Sequence, residues 1–94
     1  MARLDFSMFT KSGLFKIDGD SRTHKMTYRG RWQCLEVYHN FLDYRNRNRN
    51  DFYMRGINDY DRMEVRTVED MRAVAVLMGY DDEILEVIDN LGKE

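Results

Sequence analysis

The stretch RWQCLEVYHNFLDY, residues 31–44, decides how the chain is read. Wound at 3.6 residues per turn, it places Cys34, Leu35, Val37, Tyr38, Phe41, Leu42 and Tyr44 on one side and Gln33, Glu36, Asn40 and Asp43 on the other, so the spacing predicts an amphipathic helix from Arg31. The R-N-R-N-R-N repeat of residues 45–50 continues no apolar stripe, and its asparagines favour caps and turns. The helix is therefore expected to end there, in a loop or a fraying last turn.

Upstream, Leu4, Phe6 and Met8 alternate with Asp5 and Ser7, the period of a half-buried strand, predicted over residues 3–9. A second short run, Leu14, Phe15, Lys16 and Ile17, is closed by the turn-rich Asp18, Gly19, Asp20 and Ser21. Met26 and Tyr28 then alternate with Lys25, Thr27 and Arg29, so a third strand can pair antiparallel with the second. These three strands form an N-terminal meander.

Downstream, residues 51–61 mix Phe52, Tyr53, Met54, Ile57 and Tyr60 with Gly56, Asn58 and acids, and give no clear period. Met63 and Val65 mark a short strand. Thr67 followed by Asp70 is a variant of the capping box and opens a helix that Gly79 stops after Met78. Asp81 caps a final helix whose Ile84, Leu85, Val87, Ile88 and Leu91 face inward before Gly92. The expected fold class is α+β: a small antiparallel sheet packed against the amphipathic helix and a C-terminal helical hairpin, in one domain spanning residues 1–94. Met78, Gly79 and Tyr80, between two helices, resemble the Met-Gly-aromatic loop of ubiquitin-associated domains. The resemblance covers about twenty residues without the third helix of such a domain, so it implies only a helix stop and a packing tyrosine.

Composition sets the outer limits. In 94 residues, 43% are hydrophobic and 13% aromatic, enough for one core, while the 34% charged residues are too evenly signed for a disordered polyelectrolyte. The apolar run from Ala73 to Met78 is less than half the ~20 residues that cross a bilayer. No membrane segment or export signal is expected, and a cytoplasmic location is the default reading. A lone Cys34 suits a reducing compartment. The net charge of −2 conceals a division: residues 1–66 hold thirteen Lys or Arg against nine acids, and residues 67–94 hold two against eight.

Catalytic and metal-binding chemistry finds little purchase. His24 and His39 lie in no catalytic motif, and on the predicted helix His39 and Cys34 would stand roughly 140° apart. Asp18, Gly19 and Asp20 begin like a calcium loop, but Arg22, Thr23 and Arg29 occupy its fifth, sixth and twelfth positions. There is no phosphate-binding loop, dinucleotide fingerprint or nucleophile elbow. The expectation is a non-enzyme without cofactor or metal.

The unusual feature is basic. Arg22, Lys25, Arg29, Arg31, Arg45, Arg47 and Arg49 face only Glu36 and Asp43 within residues 22–49. Arginine recognises carboxylates and phosphates bidentately and, with tryptophan and tyrosine, is enriched in binding hot spots. The candidate partner-binding residues are thus Arg45, Arg47, Arg49, Arg29, Arg31, Trp32 and Tyr53. They point first to a protein partner, bound by a small regulatory module in the manner of a phage-type inhibitor of a host defence enzyme. The alternative is nucleic acid or a nucleotide, against which an isoelectric point near 5.7 weighs. A homodimer through an exposed sheet edge is a further option. The bland reading has the same arginines as a solvated face paired with the acidic C-terminal helices.

Overall fold

In the computed structural model, which describes residues 2–56 and 62–93, the deciding stretch is the central strand of a sheet. The elements run α1 (Phe6–Ser12), β1 (Lys16–Gly19), β2 (Thr23–Arg29), β3 (Cys34–Leu42), β4 (Asn48–Arg55), β5 (Arg62–Val65), α2 (Val68–Met78) and α3 (Asp82–Leu91). The five strands form an antiparallel sheet in sequence order, β1-β2-β3-β4-β5. The fold is α+β, as composition and pattern indicate, with a larger sheet and a different cast of helices.

The predicted helix over residues 31–44 is corrected to a turn and β3. Hydrogen bonding to both β2 and β4 commits the backbone to the extended form. Val37, Tyr38 and His39 are all buried, at 0%, 7% and 5% exposure. A central strand that buries successive residues on both faces loses its clean alternation, and the remaining apolar positions fall at helical spacing. Val37 faces the core. Tyr38, on the opposite side of the sheet, is covered by Arg62, whose guanidinium lies 3.9 Å from the ring centroid. That cation comes from a strand 24 positions on, which no local pattern could show.

Residues 3–9 are also corrected, from strand to helix. Asp5 is the N-cap of α1, its carboxylate accepting from the Ser7 amide at 3.2 Å, and Gly13 closes the helix in the left-handed region at φ 68°. Phe9 is fully buried against Phe15 and Phe52, with centroids 5.1 and 5.8 Å away. Extended pairing survives only before the helix, where Arg3 bridges Thr67 and the Leu4 amide donates to the Arg66 carbonyl. The second predicted strand shifts to Lys16–Gly19, and the third holds as β2. The Gly19 turn needs glycine, since a Cβ there would collide with the Thr23 carbonyl oxygen. In the R-N repeat, Asn46 takes a left-handed φ of 60° inside the β3–β4 turn, but Asn48, Arg49 and Asn50 already belong to β4. β4 continues through Arg55, while Ile57, Asn58 and Tyr60 lie outside the described residues.

The C-terminal reading holds closely. Thr67 and Asp70 form a reciprocal capping box, and Asp81 caps α3 through the Ile84 amide. Gly79, at φ 83°, ends α2 with the Tyr80 amide reaching the Ala75 carbonyl, so the Met-Gly-Tyr loop is a helix stop with a buried tyrosine. α2 and α3 cover one face of the sheet, and one apolar cluster joins Phe9, Met26, Leu35, Val37, Phe52, Met54, Met71, Ile84 and Ile88. Among the described residues no helix is long and apolar enough to cross a membrane.

Truncation should separate core from surface. Phe9→Ala is expected to lower unfolding free energy in urea titration by about 3–5 kcal/mol. Leu77→Ala, at a side chain 78% exposed, should stay within about 0.5 kcal/mol.

Candidate functional site

The candidate residues from the sequence divide between two ends of the sheet. Arg29 ends β2, and Arg31 and Trp32 lie in the β2–β3 turn; Arg45 and Arg47 lie in the β3–β4 turn, with Arg49 just inside β4. The nine-residue β3 separates these turns, about 26 Å at ordinary strand rise. Tyr53 stands between them on β4, half-buried, on the face away from the helices, opposite Tyr38 in register. The seven residues are not one cluster.

At the β3–β4 end the arginines are already engaged. Asp43 accepts from the Arg45 and Arg47 amides and from Arg47 Nε at 2.9 Å, and lies 3.7 Å from Arg49, which also approaches Asp51. Backbone donation from Arg47 leads the causes that hold the Asp43 carboxyl below its ordinary range. Arg45 rests over the exposed Tyr44 ring, 5.2 Å from its centroid. This end is a carboxylate-organised turn.

The β2–β3 end combines exposure with a fixed backbone. Trp32 is 81% exposed, yet its turn is tied to the helical layer on both flanks. Glu83, in the first turn of α3, accepts from the Arg31 amide and from the Tyr28 hydroxyl, each at 2.8 Å. Gln33 donates to the Gly79 carbonyl at 3.3 Å and accepts from the Asp81 amide at 2.7 Å. A Cβ on Gly30 would stand 2.8 Å from the Gln33 carbonyl oxygen, so the turn closes only with glycine there. Leu77, two residues before Gly79, and Val76 are 78% and 53% exposed. Beside Trp32 a recess of about 380 Å³ is lined by Cys34, Glu36, Arg55 and Tyr80.

Sequence reading missed Gln33, Arg55, Val76, Leu77 and Glu83, because their roles come from elements distant in the chain. The exposed apolar residues of α2 carried one local signal: Val76 and Leu77 continue an apolar run past the stripe the core needs.

Charge is segregated by layer. Over the described residues 16–66, the sheet and its turns carry eleven Lys or Arg against six acids, while residues 68–91 carry one against seven. Among the described residues, the salt bridges of Arg47 and Arg49 run to Asp43 and Asp51, and Arg72 pairs with Asp89 within the helical layer. Trp32 sits where the two layers meet.

His24 and His39 are register partners on the helix-facing side of β2 and β3, their Nδ1 atoms 3.2 Å apart. Five residues along a strand put Cys34 and His39 on opposite faces, so they stay apart for a reason other than helical rotation. Among the described residues, no group of three or more His, Cys, Asp or Glu side chains could hold a metal ion.

Glu83 titration provides a check on the turn. Backbone donation from Arg31, then the Tyr28 hydroxyl, lowers its carboxyl below the ordinary value. A lowered carboxyl pKa contributes stability that is present above the unfolded value and lost as pH falls through the folded one. Amide exchange at Arg31 should therefore stay slow from neutral pH into the ordinary carboxylate range and rise only below it. Glu83→Gln should speed that exchange at neutral pH, and Glu86→Gln should not. Comparison of the chain with protein-family models, curated proteins and solved structures returns no match.

Proposed function

We propose that this chain is a non-catalytic binding module that docks a protein partner through the Trp32 end. The observation that carries the reading is a tryptophan 81% exposed on a turn held by Glu83 and Gln33. An exposed indole on a backbone fixed in advance loses little conformational freedom on binding, and tryptophan leads the residue types found at interface hot spots. Val76 and Leu77 add further exposed apolar surface on α2. Arg29 and Arg31 adjoin Trp32 on the sheet side, and Asp81 and Asp82 open α3 on the other. The complementary partner offers an apolar recess for the indole, with carboxylates on one flank and cations on the other.

The finer reading, an inhibitor that occludes a larger enzyme, rests on small size and the character of this surface. A nucleic-acid or nucleotide reading draws on Arg45, Arg47 and Arg49, and the engagement of the latter two by Asp43 and Asp51 weighs against it. A second copy of the chain is the competing occupant of the Trp32 surface.

Affinity purification from the native cell tests the reading. One protein should be recovered with the intact chain and with the Arg45, Arg47 and Arg49 triple alanine variant, while Trp32→Ala should weaken its reconstituted binding by at least about thirtyfold, the loss of a hot spot. Binding unchanged by Trp32→Ala would remove the site. A gel shift at 50 mM salt that disappears in the triple variant would favour nucleic acid instead. Sedimentation of the purified chain as a dimer that Trp32→Ala dissociates would assign the surface to a second copy.

A further inference from the structure

At the other end of the sheet, α1 lies over a hydrogen-bonded histidine pair. Phe6 of α1 stacks on both imidazoles, its centroid 4.1 Å from His24 and 5.3 Å from His39. Phe41 stacks on His24 at 4.3 Å and Phe52 on His39 at 4.5 Å. The two Nδ1 atoms lie 3.2 Å apart, and His39 Nε2 lies 2.8 Å from Asn50 Oδ1.

The protons can be placed from these distances. Asn50 Oδ1 only accepts, so His39 Nε2 carries hydrogen; neutral His39 then has a bare Nδ1, and His24 must donate to it from its own Nδ1. A proton added to His24 at Nε2 leaves this arrangement intact. Once His24 is charged, a second proton, at His39 Nδ1, turns two N–H donors on each other across the gap, with two cations beneath one phenylalanine.

We propose that the His24–His39 pair is a proton-operated latch: it holds α1 against the sheet while His39 is neutral, and releases α1 when both rings are protonated. The groups facing His39 are His24 from β2, Asp5 at the α1 N-cap, and Asp51 and Asn50 from β4. Burial is the largest influence and holds the imidazole below its ordinary value; the Asn50 contact opposes it, His24 adds to it, and Asp5 and Asp51 oppose it. Because the folded value lies below the unfolded one, the stabilisation is full above the unfolded value of 6.5 and falls away as pH drops through 6.5 toward the folded one. α1 is the element to yield. It has seven residues, with Phe9 fully buried and Phe6 and Met8 partly buried against the core. Its release removes one wall of a groove of about 810 Å³ between Ser7, Met8 and Lys11 and the end of α3 at Leu91 and Lys93. The latch is independent of the Trp32 reading.

Nuclear magnetic resonance of the labelled full chain between pH 7.5 and 5.0 tests this. At pH 7.5, His39 should show the Nε2–H tautomer and His24 the Nδ1–H tautomer. On acidification, amide exchange in Met8–Ser12, corrected for its intrinsic pH dependence, should accelerate at least about tenfold before α2 or β3 responds. His39→Phe keeps the ring stack without the proton and should leave α1 protection flat over this range, whereas His24→Phe removes the opposing N–H and should shrink the response to the part that burial of His39 causes. Simultaneous loss of protection in α1 and α2, a pH response of α1 that persists in His39→Phe, or a response undiminished in His24→Phe would overturn the latch.

Discussion

The structure depends on the double pairing of β3. Val37 bonds in register between Met26 and Met54, and Tyr38 between Lys25 and Tyr53, so the strand is sealed along both edges. Its neighbours inherit their facing from it. Met26, Met54 and Phe52 point toward the helices because they lie opposite Val37 and His39, and a slip of one residue in either pairing would turn each of them to the other face. The helical layer is a consequence: it exists to cover what β3 aligns, with Ile84, Ile88 and Met71 all fully buried.

The same sheet explains the uneven charge. Strands exposed on one face can carry Lys25, Glu36 and Arg55 as a cross-strand network, with Glu36 3.6 Å from Lys25 and 3.4 Å from Arg55, while the helical layer keeps its acids on its own outer surface. Glu83 joins the layers through a backbone amide and a tyrosine hydroxyl. A carboxylate that accepts two hydrogen bonds fixes position more tightly than an exposed ion pair. This is why the β2–β3 turn can present Trp32 with a fixed backbone, whereas the β3–β4 turn is organised internally around Asp43.

The two ends of the sheet therefore differ in kind. One carries an exposed indole between layers of opposite charge; the other encloses two imidazoles among Phe6, Phe41 and Phe52. Both arise from the β2–β3 hairpin, whose register brings His24 opposite His39 and leaves residues 30–33 to form the turn. Reading residues 34–42 as a strand would have placed the histidines together, since counting outward from that turn pairs them.

Local chemistry by itself determined the C-terminal third: Thr67, Asp70, Gly79 and Asp81 act within a few residues of themselves through caps and a left-handed glycine, so their signals are complete in the sequence. The division of charge was legible because it is a sum over residues, and the α+β class survived because one expected strand became α1 while one expected helix became β3. Only tertiary structure decided residues 3–9 and 31–44. Leu4, Phe6 and Met8 alternate like a strand, but the N-cap at Asp5 and the core site for Phe9 favour a helix. Tyr38 mimics a helical stripe because Arg62 covers it from another strand. The binding candidates followed the same rule. Composition picked out Trp32 and the arginines, whereas their separation to opposite ends follows from β3 being a strand, and the ties of Glu83 and Gln33 arise from contacts between residues 46 to 55 positions apart, beyond the reach of any local pattern.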